Sequence, residues 1–356
     1  MAASVASDQL QVQSHRGPYK VYFRAASEWQ IDERHFFVDA NVARLHVATL
    51  APVLASGRAL VIEANERAKS LAQLQPYVDQ LLNQSVRRDQ ALVAIGGGVI
   101  QDITSFLAAT LLRGMVWEFY PTTLLAQADS CIGSKSSINV GDRKNILGTF
   151  TPPRSVVIDE RFLKTLSDQE IRSGIGEILK VSAIDGPETF NDIANRYDDI
   201  LAGGPSRGIA IRKALAVKKA IIELDEFDTG HRRVMNYGHS FGHAIEAATD
   251  FAIPHGIAVT IGMDMANHVA TRLGRLSQPD YVRMHTALKR NYAPFSTSPI
   301  PADRVIAALK ADKKNTADRL LLILPNSRAQ IEPVVVEVTA AFLELCSAYL
   351  AKGRLE

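Results

Sequence analysis

Cysteine is nearly absent: the 356 residues include two, Cys131 and Cys346, far apart in the chain. That excludes a disulfide framework and suits a reducing compartment. An excess of charge of one sign is also missing. Forty Lys and Arg nearly balance 38 Asp and Glu, for a net +2. No overall field therefore draws the chain to nucleic acid or to an acidic membrane, and any anion site must be local. No apolar run reaches the ~18 residues that a membrane span needs. The opening "MAASVASDQLQVQSHRG" has no apolar signal-peptide core. The expectation is a soluble, cytoplasmic protein with a loose N-terminal tail and no nucleic-acid or membrane partner. Internal repeats and low-complexity segments are absent too. Histidine is scarce, at nine residues, yet His239, His243 and His255 crowd into "MNYGHSFGHAIEAATDFAIPHG".

The composition itself is ordinary for a globular chain, with 47% hydrophobic residues and a length that suggests about two domains of ~150 residues. Short β-branched runs at 19–24, 35–41, 59–65, 91–98, 116–121 and 155–159 alternate with helical periodicity at 67–85 and 99–112. That alternation predicts a parallel, doubly wound sheet. From about residue 160 the periodicity becomes helical, at 167–183, 207–226, 238–249, 255–273, 280–291, 302–312 and 336–352. A hairpin at 319–335 interrupts it. The expected architecture is an α/β, Rossmann-like domain of the nucleotide-binding type over 1–165, then a mainly α-helical domain over 166–356, with a cleft between them.

Four stretches carry chemistry. In "AIGGGVIQDITSF" a strand runs through Gly96, Gly97 and Gly98 into a helix, so backbone can approach a diphosphate at a helix N-terminus. The pattern departs from GxGxxG, and a tight strand-to-helix turn would look the same. "GSKSSINVGDRKNILG" places Lys135, Arg143, Lys144 and Asn145 on a Gly/Ser-rich loop, which suits phosphate or carboxylate but also describes a solvated basic loop. "SGIGEILKVSAI" sets Glu177 and Lys180 three apart among apolar neighbours, where a surface ion pair is out of place and a metal or substrate partner is called for. His239 and His243, at i and i+4, share a helical face. With Glu177 and His255 they make a mixed N/O donor set of the kind a catalytic Zn²⁺ uses. Spacing alone favours His239 and His243 as the metal pair and leaves His255 open. Cations at Lys218, Lys219, Arg232, Lys313 and Lys314 complete the inventory, each equally readable as a solvent-facing charge.

Together these segments resemble the dehydroquinate synthases and their relatives, the sugar phosphate cyclases. The resemblance runs from about Asp39 to Lys314. It rests on "GGGVIQD", "LLRG", "PTTLLAQADS", "IGSK", "KNILGTFTPP", "IDERFLKTL", "GIGEILK", "KAIIELDE", "RRVMNYGHSFGHAIE" and "PHG…GM", in that order. It implies NAD contacts at Asp39, Asn41, Glu66, Lys69, Gly97, Gly98, Asp102, Thr122, Thr123, Asp129, Lys144 and Thr165. It implies Glu177, His239 and His255 as ligands of Zn²⁺ or Co²⁺, and turns His243 toward the substrate phosphate. Lys135, Asn145 and Asn236 would join His243 there, and Arg113 would reach across a homodimer interface. Lys218 and Arg232 would hold a carboxylate, Lys180 a ring hydroxyl, and Lys313 or Lys314 would enter the site.

The implied reaction is a phosphate-eliminating ring closure. NAD transiently oxidises a ring hydroxyl, phosphate leaves, the hydride returns, and an intramolecular aldol step closes the carbocycle. Dehydroquinate synthase activity is the first expectation, and a sister cyclase acting on sedoheptulose 7-phosphate or another sugar phosphate the second. An NAD- and metal-dependent alcohol dehydrogenase of the same fold is remote, because it has no need of Lys135, Asn145, Arg232 and Lys218 together. Gln101, Ser134, Tyr120 and Ile257 depart from the family's usual residues and suggest a divergent branch. The substrate cations are intact, which favours an acidic substrate.

Overall fold

The computed structural model describes residues 8–27, 29–141, 143–311 and 319–354. The chain divides into two compact units, Met1–Leu166 with Lys218–Phe227, and Ser167–Val217 with Asp228–Glu356. Residues 218–227, which sequence reasoning assigns to the second domain, thus belong to the first unit. The reason is tertiary: Lys218 pairs with Asp129, and Glu223 and Glu226 accept hydrogen bonds from Gln13, Ser14 and His15.

In the first unit the strands are β1 (Gln9–Val12), β2 (Tyr19–Phe23), β3 (Arg34–Asp39), β4 (Ala59–Ile62), β5 (Ala91–Gly96), β6 (Val116–Pro121), β7 (Ile138–Val140), β8 (Arg143–Leu147) and β9 (Ser155–Ile158). Seven form one sheet in the order β1-β2-β9-β6-β5-β3-β4, parallel except for the β1–β2 pair. The pairing of β1 corrects the expectation of a loose N-terminal tail over residues 9–12. Central β5, "ALVAIG", is buried throughout, as a strand covered on both faces must be. Helices α1 (Ala40–Leu45), α2 (Val47–Leu54), α3 (Leu71–Asn83) and α4 (Gly98–Thr110) accompany the sheet. One core cluster joins Trp29, Phe36, Leu50, Val93, Val157 and Phe162 with Tyr120, whose ring lies 5.0 Å from that of Trp29. The unusual tyrosine before "PTT" is therefore a packing residue. Residues 133–148, read from sequence as a loop, contain the antiparallel β7–β8 hairpin, turned at Gly141 with φ +56°.

The second unit is helical: α5 (Asp168–Asp185), α6 (Pro187–Asn195), α7 (Tyr197–Ala202), the first part of α8 (Ser206–Leu224), α9 (His239–Ala248), α10 (His255–Arg272), α11 (Gln278–Tyr292), α12 (Ala302–Ala311) and α13 (Ala340–Ala348). The hairpin β10 (Arg319–Pro325) and β11 (Ile331–Glu337) is antiparallel. It delays the last helix to residue 340, later than the 336 that periodicity suggests. A capping box of Ser167 and Glu170 starts α5. Helix α10 is buried along most of its length and packs against α5, α9 and α11.

Glycines set how closely these helices cross. A Cβ on Gly256 would stand 1.8 Å from the Ser173 carbonyl oxygen, and one on Gly176 would stand 2.1 Å from that of Gly256. A Cβ on Gly262 would lie 2.1 Å from the Gly238 oxygen. Backbone-to-backbone contact therefore brings the middle of α5 and the start of α9 against α10.

Candidate active site

Two constellations emerge, one in each unit. In the first unit the chain runs from β3 to β4 and then returns to the other side of β3 as β5. The connection thus reverses direction between β3 and β5, the place where open α/β sheets bind ligands at their carboxyl ends. Asp39 ends β3 there and caps α1, accepting from the amides of Asn41 (2.8 Å) and Val42 (3.5 Å). Beside it, Gly97 and Gly98 open α4. A Cβ on Gly96 would come within 3.3 Å of Asp39 Cβ, whereas one on Gly98 would meet nothing within 4 Å. The amide-rich first turn of α4 is therefore free for an anion to approach. Thr122 follows β6, and its buried hydroxyl has no hydrogen-bond partner among the described residues. Thr123 Oγ1 accepts from the Ala126 amide at 3.1 Å.

A second layer of contacts gathers around Lys69, which is buried. Its ammonium donates to Asp102 (3.0 Å) and Asn145 (3.2 Å) and stands 3.7 Å from Glu66. Ser137 donates to Asp102 through its amide and its hydroxyl, each at 2.9 Å. Burial pushes the Asp102 carboxyl up, against the opposing pull of Lys69. Glu66 also accepts from Asn139 (3.0 Å) and has Lys144 at 4.0 Å. Asn145, assigned by resemblance to the phosphate side, thus sits among cofactor-side residues. Lys218 Nζ lies 2.5 Å from the Asp129 carboxylate and donates to its carbonyl at 2.7 Å. Thr165 pairs with His46 (2.8 Å). Lys135 is exposed beside its backbone bridge to Phe150, and Arg113, at φ +64°, is exposed on the turn after α4. Gln101 is buried and exchanges hydrogen bonds with Ser130 (2.7 and 2.6 Å), tying the start of α4 to the turn that carries Asp129.

In the second unit the glycine-mediated crossings bring Glu177, His239, His243 and His255 together. Glu177 and Lys180 are both buried and form a close ion pair, not the surface pair that i,i+3 spacing usually produces. Glu177 Oε1 lies 3.4 Å from His255 Nε2 and 3.8 Å from His239 Nε2. The three histidine rings are mutually adjacent, with centroids 5.2, 5.3 and 5.7 Å apart. One nitrogen from each lies within 4.8 Å of the others.

The other ring nitrogens are occupied. His239 Nδ1 donates to the Tyr237 carbonyl (3.2 Å), and His255 Nδ1 to Glu246 (3.1 Å). A carbonyl only accepts, so the proton of His239 sits on Nδ1 and its Nε2 offers a lone pair.

Electrostatics separate these groups. Burial opposes ionisation of Glu177, yet Lys180, His255 and His239 hold its carboxyl well below the usual range. Burial, then Lys180, holds His239 well below its ordinary value. His255 is raised to about 10: burial lowers it, but Glu177 and Glu246 outweigh that.

The donor set fits a divalent ion. Two ligand atoms each about 2 Å from a tetrahedral Zn²⁺ lie about 3.3 Å apart, close to the separations across Glu177. Glu177 is wholly buried, with Lys180 at one carboxylate oxygen and the two histidine Nε2 atoms at the other, the place a cation would take.

Arg232 is buried in the turn 231–236. Asn236 donates to the Arg233 carbonyl (3.2 Å) and lines a cavity of about 440 Å³ with Asp228, Arg233, Ser240, Leu321 and Ile323. Lys313 and Lys314 lie outside the described residues. Sequence reasoning missed Glu246, Arg233, Ser240, Asn139 and Ser137. Only Glu246 left a signal, at i+7 from His239 and i+3 from His243. Ile257, which follows "PHG", is wholly buried.

Fold and site together define a two-unit enzyme: a doubly wound sheet of the kind that binds dinucleotides, and a helical unit whose buried glutamate and adjacent histidines make a metal-type donor set. Residues 59–173 match the 3-dehydroquinate synthase N-terminal family and 174–315 the 3-dehydroquinate synthase C-terminal family. The 3-dehydroquinate synthase of Mesorhizobium japonicum is 38% identical over 304 residues, covering 82% of this chain and 80% of the relative. Among solved structures, 2-epi-5-epi-valiolone synthase from Streptomyces hygroscopicus, with NAD⁺ and Zn²⁺ bound, is similar at 28% identity. Its TM-score is 0.82, over 94% of this chain and 97% of that one. A 2-deoxy-scyllo-inosose synthase shares the fold at 22% identity, with a TM-score of 0.81 over 95% of this chain and 99% of that one. The chain belongs to the 3-dehydroquinate synthase family.

Proposed function

We propose that the chain is a 3-dehydroquinate synthase, converting 3-deoxy-arabino-heptulosonate 7-phosphate to 3-dehydroquinate and phosphate with NAD and Zn²⁺ or Co²⁺. The observation that carries this reading is the buried Glu177 carboxylate, paired with Lys180 at one oxygen and faced by two histidine Nε2 atoms at the other, in a chain 38% identical to a 3-dehydroquinate synthase. When bound, NAD supplies reversible hydride transfer, and the metal supplies polarisation of the oxygen at the reacting carbon.

The chain's own residues do the rest. Asp39, Asn41, Glu66, Lys69, Gly97, Gly98, Asp102, Thr122, Thr123, Asp129, Lys144 and Thr165 hold the dinucleotide. Glu177, His239 and His255 hold the metal. Lys180 neutralises Glu177 and meets a ring hydroxyl. Lys218 and Arg232 bind the carboxylate, and Lys135, Asn145, Asn236 and His243 bind the departing phosphate. Such preorganised cations stabilise charge as it develops on the leaving oxygen. The working form is a homodimer in the cytoplasm, with Arg113 serving the partner's site. A single peak of twice the chain mass in light scattering checks the dimer.

The test is incubation with NAD⁺, Zn²⁺ or Co²⁺ and a panel of seven-carbon and six-carbon sugar phosphates. Phosphate release from the heptulosonate phosphate, with no net NADH and with 3-dehydroquinate identified by mass and NMR, is expected. Turnover of sedoheptulose 7-phosphate instead would favour the second reading, a valiolone-forming cyclase, to which the 28% identity with 2-epi-5-epi-valiolone synthase points.

A further inference from the structure

Glu246 is nine-tenths buried and has no part in the assignments above. It shares one face of α9 with His239 and His243, at i, i+4 and i+7. Those two histidines reach the metal centre from the first turns of the helix. Glu246, two turns on, reaches the ring of His255, the first residue of α10. We propose that Glu246 is a positioning residue of the metal centre, fixing the tautomer and ring angle of His255 so that Nε2 faces the ion. The proposal rests on the metal reading given above.

His255 is held at one edge, with Nδ1 3.1 Å from Glu246 Oε2. Its opposite edge presents Nε2 3.4 Å from Glu177 Oε1. An imidazole ligates through a nitrogen lone pair, so the proton must sit on the other nitrogen, and a fixed acceptor there selects that tautomer. Without the acceptor the ring can turn about its Cβ–Cγ bond and offer carbon, or can place its proton on Nε2. His239 solves the same problem with the Tyr237 carbonyl, which no side-chain substitution removes. Of the two histidines assigned to the metal, His255 alone depends on a replaceable side chain for its orientation.

The test uses the full-length chain with Glu246→Ala and Glu246→Gln, loaded with Zn²⁺ or Co²⁺ in competition with a chromogenic chelator. Glu246→Ala should bind metal about 10- to 100-fold more weakly, as loss of an orienting partner typically does, and Glu246→Gln, which keeps an acceptor oxygen but no charge, by less. The visible absorption of the Co²⁺ form should change in the Ala variant. A merely structural Glu246 would instead lower the melting temperature of the metal-free protein and leave affinity and spectrum alone; that result overturns the proposal. If Glu246→Ala does not fold, Glu246→Gln decides by the same measurements. Glu177→Ala is the control. If it too keeps parental affinity, the metal reading itself fails. If it alone loses metal, only the role of Glu246 fails.

Discussion

The two constellations are built by opposite means. The proposed cofactor side of the first unit is a surface of backbone and small side chains at the carboxyl ends of parallel strands. Its charged residues, such as Lys69 and Asp102, satisfy one another through a hydrogen-bonded network. The proposed metal centre of the second unit is made of charges forced into a helical core, where close crossings at glycine leave no slack. Its buried Glu177 has one countercharge, Lys180, at one oxygen and histidine nitrogens at the other. The first should therefore yield gradually to substitution and the second abruptly.

The largest break is expected at Glu177. Glu177→Ala removes a proposed ligand and takes the paired carboxylate from buried Lys180, a loss that in buried pairs costs about 3–5 kcal/mol. Activity should fall by more than the roughly 10- to 100-fold typical of orienting partners, and metal should be absent after gel filtration. A metal-replete, active variant, shown by elemental analysis, would remove Glu177 from the centre.

Next come two glycine substitutions that look alike in sequence. Gly256→Ala drives a methyl into the Ser173 carbonyl. Overpacking of a core costs about 1–3 kcal/mol, and here the obstacle is backbone. The variant should lose both thermal stability and metal affinity, since α5 and α10 must separate. Gly98→Ala meets open space and should leave stability unchanged while weakening NAD⁺ binding, read by fluorescence titration. Equal losses of stability in the two would erase the contrast between the constellations.

The sheet and most of the helices were legible because their residues alternate at strand period or repeat at helical period. The limits appear where long-range partners decide. Asp39 was read inside a strand extending to residue 41, but its side chain caps α1 and ends the strand. Lys218 sits in a helix assigned by periodicity to the second domain, yet its ion pair with Asp129 places it in the first unit. Glu177 could be suspected from its apolar neighbours. Glu246 shares a helix face with His239 and His243, but its partner His255 begins a different helix, and that pairing is not in the spacing. His243 and His255 show the reverse case: spacing favours His243 as a ligand, whereas in space His255 lies against Glu177 and all three rings meet.

The smallest expected effect tests the opposite end of the same sheet. Arg34 opens β3, and its guanidinium donates twice to Glu118 of β6, at 2.9 and 3.1 Å. Arg154, just before β9, donates twice more, at 3.1 and 2.5 Å. Burial works against Glu118, but the two arginines hold its carboxyl below the usual range. A carboxylate with a lowered folded-state pKa adds stability above its unfolded value, and that stability is lost as pH falls through the folded-state value. The parent's melting temperature should therefore drop on acidification below about pH 4.5. Glu118→Gln should drop less steeply over the same interval. At neutral pH it should be less stable by about 1–3 kcal/mol, the usual range for weakening a buried charged hydrogen bond. Its affinity for NAD⁺ should match the parent's, because Glu118 lies toward the amino ends of the strands and the proposed dinucleotide site at their carboxyl ends. A loss of NAD⁺ affinity as large as that of Gly98→Ala would mean that the two ends of the sheet are coupled.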